Sequence, residues 1–172
     1  FNKTIFIIAM TLINQVTTKN LNQINFNHHR IINTLNPHSY LISQSDKVFF
    51  EALKSSDVLL PDGIGIVWSK RLLHKKKSRK IAGYDLFLHL MNDLNNKKGS
   101  CFFLGASDNT LKMMIKRSSK EFSNVTIHSY SPPYKKEFTN EDNVKMFTLI
   151  NKVEPDILFV GMTAPKQEKW VY

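Results

Sequence analysis

The stretch "CFFLGASDNTLKMMIKRSSKEFSNVTIHSY", Cys101–Tyr130, carries three different patterns in succession. "CFFLG" is a short apolar run stopped by Gly105, which reads as a buried strand. "DNTLKMMIKRSSKEF" spreads its apolar residues at helical spacing, with Asp108 or Asn109 as the N-cap. "NVTIHSY" is rich in β-branched residues and ends before the prolines of "SPPYKKEF", which forbid regular pairing. Strand, helix and strand in this order imply a parallel pairing and an α/β fold.

The same alternation extends in both directions. Upstream, "HRIINTL" (His29–Leu35) and "DVLLPDG" read as strands, the latter stopped by Pro61. Between them, "PHSYLISQSDKVFFEALKSS" reads as one helix opened by Pro37. "GIGIVWSKRLLHK" and "GYDLFLHLMNDLNNK" read as helices separated by the charged loop "HKKKSRK". Downstream, "TNEDNVKMFTLINKV" opens with Thr139 and Asp142 at capping-box spacing, and "DILFVG" is the last strand. The apolar run Ile5–Ile13 is too short to span a bilayer and no small-residue cleavage site follows it, so it reads as one buried strand or two. The expected architecture is a Rossmann-like, mostly parallel sheet with helices on both faces, in a single domain over residues 1–172.

Composition narrows the partners. The chain has 172 residues, 42% of them hydrophobic and 22% charged, which is a globular balance. A formal net charge of +10 suits an anionic partner: nucleic acid, a phosphorylated substrate or a membrane surface. Seven of the 24 basic residues lie between Lys70 and Lys80, either as a solvated loop or as a contact for phosphate or anionic lipid. Aromatic residues do not interleave with this run, and no nucleic-acid-binding signature is present, so nucleic acid is not the expected partner. The single cysteine, Cys101, sits in an apolar run and reads as a core residue rather than a nucleophile.

In open α/β sheets, ligands bind outside the carboxyl ends of the strands. Four such ends carry polar or glycine residues: Thr34 with Asn36; Asp62 with Gly63; Gly105, Ala106 and Ser107; and Gly161, Thr163, Gln167 and Glu168. Glycine after a strand lets a phosphate approach the backbone, and Gln167 can both donate to and accept from a sugar or amide. Each cluster also has a purely structural reading. The glycines can start turns, Asp62 or Glu168 can cap a helix, and Gln167 can be an exposed helical residue. "GIG" at Gly63–Gly65 partly matches a dinucleotide fingerprint, but Trp68 stands where the third glycine belongs, which argues against nicotinamide binding. The histidines show no metal-ligand spacing and there is no Asp-x-Asp, so no metal is expected.

Five ordered elements together carry a family resemblance: "TLNPHSY", "LLPDGIGIVW", "KIAGYDL", "FFLGAS" and "PDILFVGMTAPKQEKW". From about Ile31 to Tyr172 the chain resembles the WecG/TagA/CpsF glycosyltransferases, glycosyltransferase family 26. The resemblance implies an inverting, metal-independent enzyme without cofactor. It would move an N-acetylmannosamine-type sugar from a UDP-sugar donor to a polyprenyl-diphosphate-linked N-acetylglucosamine. Such products feed teichoic acid or other cell-surface polysaccharide. Asp62 matches the family's catalytic base, and Thr34 joins it as a catalytic residue. Asn36, paired with Thr34, matches a sugar-holding position. Gly105, Ala106, Ser107, Gly161 and Thr163 would line the nucleotide, and Gln167 would meet the donor sugar or phosphate. Lys80 stands where the family usually has arginine, keeping the charge but losing the bidentate fork, and Arg79 is the alternative for the phosphate.

The family generally continues beyond Pro-Lys-Gln-Glu into a basic segment linked to membrane docking, and this chain is expected to lack it. The implied location is cytoplasmic, peripheral at the inner face of the membrane, with a homo-oligomer as one outcome of exposed apolar surface. The alternative reading is a non-catalytic UDP-sugar-binding or scaffold protein.

Overall fold

The computed structural model describes residues 11–26 and 29–172. All strand pairings in them are parallel, and helices pack on the strands, so the chain is α/β. The strands form two sheets, β1–β2 and β4–β3–β5. The residues also divide into two compact units: the described residues up to Phe87 with Ala164–Tyr172, and Leu88–Thr163.

In the first unit, β1 (Ile32–Leu35) pairs with β2 (Val58–Pro61), with Thr34 opposite Leu60 and Leu35 opposite Pro61. All of β2 is buried, which accounts for its continuous apolar run. Between the strands lie α1 (Pro37–Ser43) and α2 (Lys47–Lys54). The single helix expected here is broken by the Asp46 side chain, whose Oδ1 accepts from the Phe49 N–H at 3.0 Å and caps a new helix. Helix α3 (Ile64–His74) follows β2 and packs on it. The short α7 (Lys166–Val171) packs against α2, where Lys169 pairs with Asp46. The core joins Leu12, Ile13 and Val16 to Leu35, Phe49, Leu53, Leu59 and Ile66.

The strand expected over Ile5–Ile13 lies outside the described residues up to position 10, and residues 11–15 are helical. Leu12 and Ile13 are buried, so burial alone explains their apolar character. Lys70 closes the end of this helical segment from α3: its ammonium donates to the carbonyl of Ile13 at 3.0 Å and to that of Asn14. Lys70 is 1% exposed, so it does not belong to the solvated basic run expected from Lys70 to Lys80.

Helix α4 (Gly83–Lys97) runs from the first unit into the second. There β3 (Ser100–Gly105) lies between β4 (Thr126–Tyr130) and β5 (Ile157–Gly161). Asp156 sets this register: its Oδ2 accepts from the backbone N–H and the hydroxyl of Ser100, at 2.7 and 2.9 Å. Those hydrogen bonds hold its carboxyl below the usual carboxylate range. Helix α5 (Asp108–Glu121) and helix α6 (Asn140–Val153) both pack on β4. The capping box at α6 forms as its spacing predicts: Thr139 N–H donates to Asp142 Oδ2 at 2.8 Å, and Asp142 N–H to Thr139 Oγ1 at 3.3 Å. Cys101 is buried among Phe102, Phe103 and Leu104, and burial pushes its thiol up to about 12, as suits a core residue.

Candidate functional site

In the first unit the two strand ends are tied together. The Asp62 N–H donates to the Leu35 carbonyl at 2.9 Å, so Asp62 stands beside the turn from Leu35 into Asn36. Two residues later α3 begins, with Gly63 at φ +98 as its N-cap and no side-chain cap. The capping role open to Asp62 is therefore not what it does. Its carboxylate makes no hydrogen bond or ion pair among the described residues. The N-terminus of α3 lies against that of α1: a Cβ on Gly65 would sit 3.3 Å from the Pro37 ring. Asn36 caps α1, its Oδ1 accepting from Ser39 N–H at 2.8 Å, which leaves its amide nitrogen for other work. Thr34, in β1, keeps its hydroxyl unpartnered among the described residues. Lys80 is exposed and precedes Ile81, whose N–H donates to the Pro61 carbonyl at 2.9 Å. This bond holds the Lys80 backbone next to the strand end that carries Asp62.

Gln167 and Glu168 lie on α7 of the same unit. Gln167 is half-buried, and its Nε2 donates to Glu168 Oε1 at 2.9 Å. Glu168 is 4% exposed, and its Oε2 has no partner among the described residues. Burial raises its pKa. Glu168 does not cap the helix: Pro165 stands at the N-cap, after a cis Ala164–Pro165 bond.

In the second unit Gly105 and Gly161 are opposite each other across β3 and β5. Gly105 has φ +115, and a Cβ there would run into the Gly161 carbonyl, so no other residue fits without a shift. Ala106 follows at φ 59 and donates its N–H to the Gly161 carbonyl at 3.0 Å. Ser107 is the N-cap of α5, accepting from Thr110 N–H at 3.3 Å, in place of the expected Asp108 or Asn109. Thr163 is exposed. Ser131, not among the residues expected from sequence, donates its hydroxyl to the Ala106 carbonyl at 2.7 Å and fixes this turn. Its signal was a hydroxyl directly after a predicted strand.

Each unit thus gathers its own share of the expected residues at the carboxyl ends of parallel strands. The first has a carboxylate, a hydroxyl, an amide and a lysine; the second has a glycine-lined turn. A cavity of about 300 Å³ lies elsewhere, at the opposite end of β2, where Arg30, Asp57 and Val58 line it. None of the expected site residues borders it. Among the described residues no three His, Cys, Asp or Glu side chains converge as metal ligands. No helix there is long and apolar enough to cross a membrane.

Known proteins share this pattern. The model of the glycosyl transferase WecG/TagA/CpsF family matches residues 5–172. A relative from Bacillus subtilis (strain 168) is 34% identical over 142 residues, covering 83% of this chain and 54% of its own length. One from Bacillus spizizenii is 32% identical over 146 residues, covering 80% and 55%. One from Staphylococcus aureus (strain NCTC 8325) is 24% identical over 141 residues, covering 80% and 52%. All three carry the name N-acetylglucosaminyldiphosphoundecaprenol N-acetyl-beta-D-mannosaminyltransferase. The chain spans about half the length of these curated relatives. A match over nearly its whole length shows that this chain belongs to the WecG/TagA/CpsF family of glycosyltransferases.

Proposed function

We propose that this protein transfers an N-acetylmannosamine-type sugar from a UDP donor to a polyprenyl-diphosphate-linked N-acetylglucosamine. The reaction inverts the anomeric centre and needs no metal, and it serves cell-envelope polysaccharide assembly at the cytoplasmic face of the membrane. The observation that carries the reading is Asp62, a carboxylate at a strand end with neither a cap to form nor a partner among the described residues.

In the proposed step the acceptor hydroxyl oxygen attacks the anomeric carbon. The bond from that carbon to the UDP oxygen breaks, and the hydroxyl proton passes to the Asp62 carboxylate. Thr34 and the Asn36 amide nitrogen hold the sugar beside it. Lys80 supplies positive charge toward a phosphate, as a point charge rather than a fork. The nucleotide is assigned to the turn of Gly105, Ala106 and Ser107 with Gly161 and Thr163, where two facing glycines present no side chain. Gln167 is assigned to the donor sugar or phosphate.

UDP release from UDP-N-acetylmannosamine, with a lipid-linked N-acetylglucosamine acceptor and the full-length protein, tests this. Asp62→Asn is expected to lower kcat by about 10²–10⁴-fold, the span of a lost general base, with UDP affinity unchanged. Normal turnover in Asp62→Asn would remove Asp62 as the base. UDP binding without any turnover in the wild type would favour a scaffold role instead.

A further inference from the structure

Helix α3 has two faces that the transferase reading does not use. Ile66 and Lys70 point inward and are buried. Ile64, Trp68 and Leu72, at steps of four residues, form one stripe on the other side. They are 60%, 68% and 82% exposed, a large apolar display for one short helix. Arg71 is exposed and borders this stripe. The helix then ends at His74 and runs directly into exposed Lys75, Lys76, Lys77, Arg79 and Lys80. From Gly63 to Tyr84 the sequence holds no Asp or Glu.

We infer that this face of α3, with the basic loop behind it, docks on a bilayer that carries anionic lipid. An apolar stripe centred on a tryptophan and flanked by cations is the pattern of a helix lying in a membrane interface. The apolar side chains enter the acyl boundary, while the lysine and arginine stems reach back to phosphate headgroups. A second copy of the chain fits this face poorly. A two-fold contact would set the same cations against one another with no acid from this stretch to neutralise them. Nucleic acid would use the cations but leave the stripe in water.

The inference extends the proposed function, since an acceptor on a polyprenyl anchor is met at a membrane, but its test needs no turnover. The 172-residue chain is sedimented with phosphatidylcholine vesicles, with and without phosphatidylglycerol. Binding is expected only with the anionic lipid, weakening as salt rises. In a Trp170→Phe background, Trp68 emission is expected to shift to the blue on binding. Trp68→Glu and Leu72→Glu, both at exposed positions, are each expected to lower partitioning about tenfold or more. Joint replacement of Lys75, Lys76, Lys77 and Arg79 by glutamine should do the same. Partitioning unchanged in either glutamate variant overturns the inference, as does equal, salt-insensitive binding to neutral vesicles. Sedimentation showing a dimer that Leu72→Glu dissolves would overturn it in favour of self-association. A full-length transferase that turns over normally while the chain ignores vesicles would sink this inference alone. Vesicle binding without turnover would sink the proposed function alone.

Discussion

Glu168 is a carboxyl group held where charge is costly. Its Oε1 receives the Gln167 amide, while Oε2 faces no donor among the described residues. Burial is the leading cause of its raised pKa. The sign follows from linkage. The folded protein resists ionising this group, so its stability is fullest below the unfolded value of about 4.3 and falls as pH rises through the folded value. Glu168→Gln keeps the shape and removes the titration. Urea denaturation is expected to show the variant close to the wild type at acid pH and more stable at mildly alkaline pH. Parallel pH–stability curves would show that Glu168 ionises freely. The Pro-Lys-Gln-Glu block is the most distinctive motif in the sequence, yet spelling alone did not show that its glutamate turns inward. A charged residue in a short polar stretch reads as solvated until its helix is seen to pack on α2.

Lys70 shows the same lesson within an element. In the sequence it opens a run of cations, and a run of cations reads as a solvated face. On α3 it falls on the buried side with Ile66, and its ammonium caps the helical residues 11–15 through the carbonyls of Ile13 and Asn14. Burial and the nearby charge of Lys76 lower its pKa. Lys70→Met keeps the apolar stem but strips two carbonyls of their donor, at about 1–3 kcal/mol. The expected result is a fall in thermal midpoint of about 2–4 °C for each kcal/mol, read by calorimetry. An unchanged midpoint would mean that water replaces the ammonium at no cost. Other elements were more legible. Thr139 and Asp142 announced the start of α6, because a capping box is a local arrangement. The break at Asp46 was not, because apolar spacing continues from Tyr40 to Leu53 across it and only the cap bond reveals a new helix.

Across the whole molecule, the α/β class and parallel pairing were readable because short apolar runs ended by Gly or Pro alternate with amphipathic ones. The partition into β1–β2 and β4–β3–β5 was not, since alternation fixes how strands are connected and not which sheet each joins. Strand ends were likewise readable. Asp62 and Gly105 punctuate apolar runs, and the structure places both at the carboxyl ends of parallel strands. What those ends do is a matter of free valence, and only the hydrogen-bond inventory supplies it. Ser107 and the Asn36 oxygen are committed to helix caps, while Thr34 and Asp62 are not.

The buried Lys70 also gives the folded chain a chemical clock. An amine-acylating reagent should modify Lys75, Lys76 and Lys77 at once, because all three stand in solvent. Lys70, with its nitrogen on two carbonyls, should react only when α3 parts from the helical residues 11–15. Peptide mass spectrometry would then read acylation of one lysine as the opening rate of the first unit, with its three neighbours as the internal standard.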